Sequence, residues 1–231
     1  MQLHPIRSRV WVLRMGLAMV MLIVVGSAHA QQTPSVSEVE RLQLSETCER
    51  GDADSCSYLG VLYYTGNSVT QDMNHARTLF HKGCDGKAAN GCYGLGVLYY
   101  KGLGGAQDQV KARSLYSMAC DAGVVAGCRN LAFMYNKGEG GTPDKLRARN
   151  LYHKACDGGS VSSCYYLGLE YLSALGGVQD LSQARTLFHK ACDDNYADSC
   201  FVLGIMYRDG EGSVKDMAKS ETYFKRAGKV D

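Results

Sequence analysis

Apolar residues along this chain return in the same arrangement every 36 residues. In each block a Cys, a Leu, a small residue and a Tyr stand at spacings i, i+3, i+4 and i+7, which place them on one face of an α-helix. The first block has them at Cys56, Leu59, Gly60 and Tyr63. A second pattern follows, with Ala and Leu in the first four blocks and an aromatic residue in all five. The chain therefore predicts two amphipathic helices per block, which we call helix A and helix B.

A glycine-rich stretch such as KGLGGAQD separates the two helices of each block and ends at an aspartate. Glycine breaks a helix, and an Asp directly before an apolar helical pattern is typical of an N-cap, whose side chain accepts free amide hydrogens of the first turn. Because the aspartate recurs in five loops, capping is favoured over a catalytic role. The five aspartates are Asp72, Asp108, Asp144, Asp180 and Asp216.

The fixed period predicts a repeat solenoid, since two amphipathic helices cannot bury their faces alone and must stack on neighbouring copies. We expect an all-α fold of helix-turn-helix repeats. The expected repeats span residues 53–88, 89–124, 125–160, 161–196 and 197–231. Residues 31–52 are expected to form an N-terminal capping helix, in which Val39, Leu42 and Leu44 mark a solitary helix B.

Residues 1–30 have a different pattern from the repeats. Three arginines precede an apolar run at residues 15–25, and small residues follow at Ala28 and Ala30. This order is typical of a cleavable signal peptide, and the run is too short to span a bilayer as a helix. Its removal would take three arginines away and change the formal net charge from +2 to −1. We expect an exported, periplasmic or secreted protein with no membrane span in the mature chain and, because its body is nearly neutral, no nucleic-acid partner.

Ten cysteines follow the signal peptide as five C-x7-C units, and an even number in an exported chain favours disulfides. The period allows pairing within each unit, or pairing of Cys56 with Cys84 and so on, which leaves Cys48 and Cys200 free. At Gly228, where the next unit would start, both cysteines are missing together. Pairing within the unit is therefore favoured. The favoured bridges are Cys48–Cys56, Cys84–Cys92, Cys120–Cys128, Cys156–Cys164 and Cys192–Cys200.

The spacing of these cysteines also constrains the chain between them. Residues eight apart in one continuous helix are separated by ~12 Å along the axis, beyond the ~7 Å limit for the Cα atoms of a disulfide. The chain must therefore reverse, and each bridge is predicted to join the end of helix B to the start of the next helix A. Zinc is disfavoured because structural zinc sites use closer cysteine pairs, often with His. We expect no metal and no cofactor.

The stretch YGLGVLYYKGLGGAQDQVKARSLYSMACDAG resembles a Sel1-like repeat, whose helix A carries L-G-x-x-Y, whose loop carries G-x-G-x-x-x-D and whose helix B carries A-x-x-x-Y/F-x-x-A. The C-x7-C pairs resemble the Helicobacter cysteine-rich proteins more narrowly. Ala132 and Ala174 replace glycines of the pattern and are expected to perturb only the local geometry. The resemblance implies a right-handed α/α superhelix, related to tetratricopeptide repeats, whose concave face holds protein or peptide partners.

Some relatives in that family are described as penicillin-binding or weakly β-lactam-hydrolysing, so a β-lactamase-like or penicillin-binding hydrolase of the cell envelope is the alternative function. A serine β-lactamase uses S-x-x-K, S-D-N and K-T-G groups, and the chain contains none of them. His81, His153 and His189 share one column at the end of helix B, which is typical of exposed repeat positions. We therefore name no catalytic residue and favour a protein that is not an enzyme.

Helix A also has columns that vary from block to block while the packing columns stay fixed, as expected for individual contacts on a constant scaffold. Aromatic residues and Arg in these columns are the types enriched at interface hot spots. The candidate ligand-binding residues are Tyr93, Arg129, Tyr165 and Phe201 in one column and Tyr64, Tyr100, Asn136 and Arg208 in another. Tyrosines that only pack against neighbouring blocks are the alternative.

The sequence thus predicts an exported, disulfide-stapled scaffold that binds a protein, peptide or cell-wall fragment on its concave face. A purely structural spacer without a ligand is a third hypothesis. The identity of the ligand and the oligomeric state are not predicted.

Overall fold

The computed structural model describes residues 37–228, and the predicted signal peptide lies outside this range. All regular structure within residues 37–228 is α-helical, which confirms the predicted fold class. The helices are α1 Glu38–Glu49, α2 Ala53–Thr65, α3 Met73–Asp85, α4 Ala89–Lys101, α5 Gln109–Asp121, α6 Val125–Lys137, α7 Lys145–Asp157, α8 Val161–Leu172, α9 Leu181–Asp193, α10 Ala197–Asp209 and α11 Met217–Arg226. None of these helices has the length and apolar character needed to cross a membrane.

Helices A and B alternate along the chain after α1. Helix A of repeats 1 to 5 is α2, α4, α6, α8 and α10, and helix B is α3, α5, α7, α9 and α11. Each helix packs against the one before it and the one after it. Each helix B of repeats 1 to 4 therefore lies between helix A of its own repeat and helix A of the next, which is the continuous stacking of a solenoid.

Every helix B begins at its predicted aspartate cap. The Asp72 carboxylate accepts a hydrogen bond from the His75 amide at 3.0 Å, and the carboxylate of Asp108 accepts one from Lys111 at 2.9 Å. Asp144, Asp180 and Asp216 make the same bond to the third residue after them. The repeated aspartates therefore stabilise helix starts, as the sequence predicted.

Helix A ends at a residue in the left-handed conformation in four of the five repeats. Gly66, Gly102, Gly138 and Gly210 occupy this position with φ between 69° and 79°. In repeat 4 the corresponding residue is Ala174, which takes a φ of 57°, and α8 ends one residue earlier with Ser173 as its C-cap. The replacement of glycine by alanine therefore leaves the turn in place but puts a side chain where L-residues are strained.

The predicted packing face of helix A is buried. The leucine of the L-G-x-x-Y pattern is at most 4% exposed in all five repeats. The small residue after it lies against the aromatic ring of helix B; a Cβ added at Gly60 would lie 2.8 Å from Cδ1 of Phe80. The glycine therefore permits the close approach of the two helices of a repeat.

A second buried column lies beside the predicted face of helix A. It contains Leu62, Leu98, Met134 and Met206, each at most 2% exposed. Repeat 4 places Glu170 at this position, and its side chain is equally buried at 2% exposure. The core of repeat 4 therefore contains a carboxyl group where the other repeats have a large apolar side chain.

The five disulfides join the two cysteines of each C-x7-C unit, as predicted. The Cα atoms of the paired residues are 4.4–4.8 Å apart. Cys84 lies in the last turn of α3 and Cys92 in the first turn of α4. Each bridge therefore holds the end of one helix to the start of the next across a reversal of the chain.

Arginines of helix B also connect consecutive repeats, a contact that the sequence analysis did not anticipate. The guanidinium of Arg77 lies 4.0 Å from the centre of the Tyr99 ring in the next repeat, and its Nη1 donates to the carbonyl of Leu103 at 3.5 Å. Arg113 lies 3.7 Å from the Tyr135 ring in the same way. Tyr99 and Tyr135 are thus half-buried platforms for these cations, whereas Tyr207 of the same column is buried in the core of repeat 5.

Helix α1 lies within the segment predicted to form a capping helix, and its apolar residues are unequally covered. Leu44 packs with the core of repeat 1. Val39 is 73% exposed and Leu42 is 55% exposed. A helix B in the middle of the solenoid contacts helices A on two sides, whereas α1 has its main contact with α2, so Val39 and Leu42 stay exposed in the described part of the chain.

Candidate functional site

A groove of about 1040 Å³ runs across the helices A of the first three repeats. Its walls combine tyrosines and other apolar side chains with small hydroxyl and amide groups. The lining residues are Leu44, Asp54, Ser55, Ser57, Tyr58, Val61, Tyr64, Thr65, Phe80, Asn90, Tyr93, Gly94, Val97, Tyr100, Lys101, Tyr116, Arg129, Asn130, Phe133 and Met134. We call this surface the tyrosine groove.

Four of the eight predicted ligand-binding residues line the tyrosine groove. They are Tyr64, Tyr93, Tyr100 and Arg129. The groove brings these side chains together because helices A of successive repeats lie beside one another, so equivalent positions of α2, α4 and α6 meet on one surface. These four residues remain candidates for contacts with a ligand.

The other four candidates lie outside the groove and have contacts within the protein. Tyr165 packs against Phe188 and Tyr196, with ring centres 5.9 Å and 5.2 Å apart. The Phe201 ring lies 5.5 Å from the ring of Phe224. Asn136 Nδ2 donates to Glu170 Oε1 at 3.0 Å, and Arg208 Nε donates to Asp209 Oδ1 at 2.8 Å. For Tyr165, therefore, the structure shows packing against helix B of its own repeat and against the turn that follows it.

Sequence reasoning missed several side chains of the groove. Val61 and Tyr58 of α2 are 41% and 50% exposed, and Val97 and Phe133 occupy the position of Val61 in the next two repeats. Val61, Val97 and Phe133 form an apolar column with the 36-residue period, so the period itself could have identified them. The period could not have identified Tyr58 in this way, because the equivalent residues of the next two repeats are Gly94 and Asn130.

The floor of the groove is a cluster of tyrosine rings. Tyr116 is 2% exposed, and its ring centre lies 5.9 Å from that of Tyr93 and 6.5 Å from that of Tyr100. Burial raises the pKa of Tyr116 well above its ordinary value, and burial also raises the pKa of Tyr100. Both hydroxyl groups therefore remain neutral to a higher pH than an exposed tyrosine would.

A second hollow of about 250 Å³ continues the surface toward repeat 4. It shares Arg129, Asn130 and Phe133 with the tyrosine groove. The residues found only in its lining are Tyr152, Ser162 and Tyr166. Tyr152 and Tyr166 are stacked, with ring centres 5.4 Å apart. The two depressions therefore meet at α6, and Arg129 stands where they join.

The charged residues that line the groove are Asp54, Lys101 and Arg129. Lys101 Nζ lies 3.4 Å from the hydroxyl of Tyr64 and donates to it. Arg129 Nε contacts Oδ1 of Asn130 at 3.5 Å. Within residues 37–228, no carboxylate lies within ion-pair distance of Arg129. Arg129 therefore lines the groove without an ion-pair partner among the described residues.

The histidines of the shared column differ in their surroundings. His81 and His153 are exposed, and each Nδ1 lies 2.9–3.0 Å from an aspartate four residues later. His189 lies between the hydroxyls of Tyr207 and Tyr223, at 3.1 Å and 3.2 Å, and burial lowers its pKa. Within residues 37–228, no group of three or more His, Cys, Asp or Glu side chains is arranged to hold a metal ion.

Comparison with protein families gives one match, to the Sel1 repeat, in five consecutive segments. The matched segments are residues 53–87, 89–124, 125–160, 161–196 and 197–229. The resemblance noted in the sequence is therefore confirmed. No curated protein sequence matches the chain.

Solved structures supply further relatives. A protective antigen present in uropathogenic Escherichia coli strains, which displays an SLR fold, is 25% identical with a TM-score of 0.78; the match covers 82% of this chain and 40% of the antigen. A Sel1 repeat protein from Oxalobacter formigenes is 22% identical with a TM-score of 0.71, over 82% of this chain and 76% of that one. Helicobacter pylori cysteine rich protein B is 29% identical with a TM-score of 0.45, over 60% of this chain and 99% of that one.

Proposed function

Because the chain belongs to the Sel1 repeat family, we propose that it is an exported, disulfide-stapled scaffold that binds a protein or peptide in the tyrosine groove, on the concave face of the solenoid. Sel1 repeats generally mediate protein interactions. The observation that carries the proposal for this chain is the groove itself, an elongated depression with a tyrosine floor and exposed apolar walls.

The chemistry of the lining favours a polypeptide ligand. Val61, Val97 and Phe133 offer apolar surface along the groove, and exposed apolar patches of this kind mark interaction sites. Ser55, Asn90 and the tyrosine hydroxyls add hydrogen-bonding groups that suit peptide amides. A peptide would bury both kinds of surface at once. A cell-wall fragment with a peptide stem is the narrower alternative within the same proposal.

The stiffness of the groove supports binding by a pre-organised surface. Three of the disulfides, Cys48–Cys56, Cys84–Cys92 and Cys120–Cys128, hold the turns that lead into α2, α4 and α6. Because these helices form the walls, little ordering of the protein is needed when a ligand binds, and the entropy lost on association is smaller.

The five disulfides are typical of proteins in an oxidising, extracytoplasmic compartment. The proposal extends this to export through a cleavable signal peptide at residues 1–30, into the periplasm or the medium. N-terminal sequencing of the exported protein should give Gln31 as its first residue. A mature protein that still begins at Met1 would contradict the proposed cleavage.

A capture experiment with matched variants tests the groove. Wild-type protein, Val61→Glu and Val110→Glu are immobilised and exposed to an envelope extract of the source cells. Val61 lines the groove, whereas Val110 is 67% exposed on α5 and lies outside it. We expect a ligand captured by the wild type and by Val110→Glu but lost with Val61→Glu, because a buried charge opposes apolar contact.

Addition of soluble peptidoglycan fragments then separates the two kinds of ligand, since only a cell-wall ligand is displaced by them. A ligand retained equally by all three proteins would show that binding takes place elsewhere. No specific capture by the wild type would favour a structural spacer.

A further inference from the structure

We propose that Arg129 anchors an aspartate or glutamate side chain in the interior of an extended peptide that lies along the tyrosine groove and the adjoining hollow. This inference rests on the proposed function and adds the chemistry of the partner. It follows from the position of Arg129, from its missing counter-charge and from the open space on both sides of it.

Arg129 stands at the junction of the two depressions. It is one of three residues that line both of them, together with Asn130 and Phe133. A ligand that fills both must pass this side chain. The other repeats have Ser57, Tyr93, Tyr165 and Phe201 at the equivalent position, so the central repeat is the one that presents a cation here.

Most other arginines of the described chain are engaged by acceptors of the protein. Arg147 pairs with Asp144, Arg208 with Asp209 and Arg226 with Asp193. Arg113 and Arg149 donate to backbone carbonyls of the next repeat. Among the described residues, the hydrogen bond of Arg129 is the 3.5 Å contact from Nε to Asn130 Oδ1, which leaves the two Nη groups for a ligand. Their planar geometry matches a carboxylate in a bidentate pair.

The surroundings of Arg129 strengthen such a pair. The residue is half-buried, and Phe133, Tyr152 and Tyr166 line the hollow beside it. Apolar walls reduce the screening of a charge by water, so a carboxylate bound here interacts more strongly than in a surface ion pair. A neutral polar group in the same place would leave the positive charge of Arg129 unneutralised.

The open space decides between a side-chain carboxylate and the carboxylate at the end of a peptide. The groove of about 1040 Å³ extends from Arg129 across α4 and α2, and the hollow of about 250 Å³ extends toward α8. A peptide that ended at Arg129 would fill one depression and leave the other empty. A peptide that continues past Arg129 fills both, so the acid lies within the chain.

Selection from a random dodecapeptide library tests the inference, because it samples all peptide sequences alike and needs no purified natural ligand. The library is selected on immobilised wild type, Arg129→Gln, Arg129→Glu and the control Arg50→Gln, which removes an exposed arginine that pairs with Glu46 and lines neither depression. Thermal unfolding of each variant first establishes that it is folded.

We expect wild type and Arg50→Gln to enrich peptides with Asp or Glu at one interior position. Arg129→Gln should lose this preference, and Arg129→Glu should replace it with Lys or Arg. For an enriched peptide, exchange of the acid for its amide should weaken wild-type binding about ten- to a hundredfold, the range for hydrogen bonds to charged groups.

Two other outcomes separate the inference from the function on which it rests. Enriched peptides without an acidic position, or with one that Arg129→Gln retains, would overturn the role of Arg129 and leave peptide binding intact. No enrichment on the wild type, with binding of purified glycan strands instead, would overturn both.

Discussion

Glu170 is the residue at which one repeat departs most from the others. Its position belongs to the column of Leu62, Leu98, Met134 and Met206, and its side chain is 2% exposed. Oε1 accepts a hydrogen bond from Asn136, while Oε2 is buried without a partner within the described chain. Burial raises the pKa of Glu170, although Lys145 and Arg149 oppose this effect. The ionised carboxylate is therefore less stable in the folded protein than in the unfolded chain.

This environment predicts a pH-dependent gain in stability for Glu170→Gln. A carboxyl group whose pKa is raised on folding contributes stability that is complete below its unfolded pKa, near 4.5, and that is lost as pH rises through the folded pKa. Glutamine resembles the protonated form and does not ionise. We expect the variant to melt above the wild type at pH 7 and close to it at pH 4.

Thermal unfolding at both pH values checks this prediction. The control is Glu211→Gln, because the side chain of Glu211 is exposed. A shift in melting temperature for Glu170→Gln that is the same at both pH values would mean that the carboxyl group is not destabilised by burial.

At the level of the helices, the two alanines that replace glycines of the repeat pattern differ in backbone conformation. Ala174 has a φ of 57°, in the left-handed region that favours glycine. Ala132 lies inside α6, is fully buried and occupies the position at which other repeats place a glycine against an aromatic ring. One alanine is therefore strained by its backbone, and the other is compatible with its helix.

The same substitution should thus have opposite effects at the two sites. Ala174→Gly should stabilise the protein by about 0.5–1 kcal/mol, because it removes the left-handed alanine. Ala132→Gly should destabilise it by about 1 kcal/mol or more, because glycine in a helix interior costs conformational entropy and a buried methyl group is lost. Urea unfolding measures the change in the free energy of unfolding for each variant. Changes of the same sign would contradict the conclusion that the alanine is strained at one site and not at the other.

Much of the helical framework could be predicted from the sequence because its determinants are local. The aspartate caps and the reversals within the C-x7-C units depend on residues a few positions apart. Glu170 could not be assigned in this way, since its burial becomes visible only when its column is compared across repeats. Arg77 and Arg113 have the appearance of ordinary surface cations until the next repeat places a tyrosine ring beneath each one.

The candidate site was only partly predictable for the same reason. The repeat columns identified four residues of the groove, namely Tyr64, Tyr93, Tyr100 and Arg129. The groove that they share also depends on Gly94, which has no side chain and therefore leaves room above Phe80. Tyr165 occupies the same column as Tyr93 and is instead covered by Tyr196 of the following turn. Column membership therefore identifies candidates, and packing across repeats selects among them.

Across the whole molecule, the disulfides occur once per repeat and always at the turn between helix B and helix A. Each closes a ring of nine residues, which stabilises the folded state by about 2.5 kcal/mol in the loop-entropy description. Lys154 and Lys190 add weaker links between repeats. Each ammonium group donates a hydrogen bond to the backbone carbonyl of a cysteine one repeat earlier, at 2.9 Å and 3.2 Å. The contact between successive repeats is thus maintained by covalent and non-covalent links at the same place.

Reduction of the disulfides should therefore lower the melting temperature and leave most of the helical circular dichroism intact at room temperature. The helices retain their caps and their apolar contacts, while the unfolded chain gains the freedom that the rings had removed. Thermal scans with and without reductant, after thiol counting confirms complete reduction, check this expectation. An unchanged melting temperature would mean that the bridges contribute little to the stability of the array.

The rings have a further consequence for an enzyme that cuts the backbone. Lys87 is exposed and lies between Cys84 and Cys92, so trypsin cleavage there leaves both fragments tied by sulfur and the neighbouring helices in place. Lys101 and Lys137, at the ends of α4 and α6, lie outside any ring, and a cut there frees the two pieces. Cleavage at a turn within a disulfide ring thus leaves the chain covalently connected, whereas cleavage at a glycine-rich loop breaks the covalent connection between the two fragments.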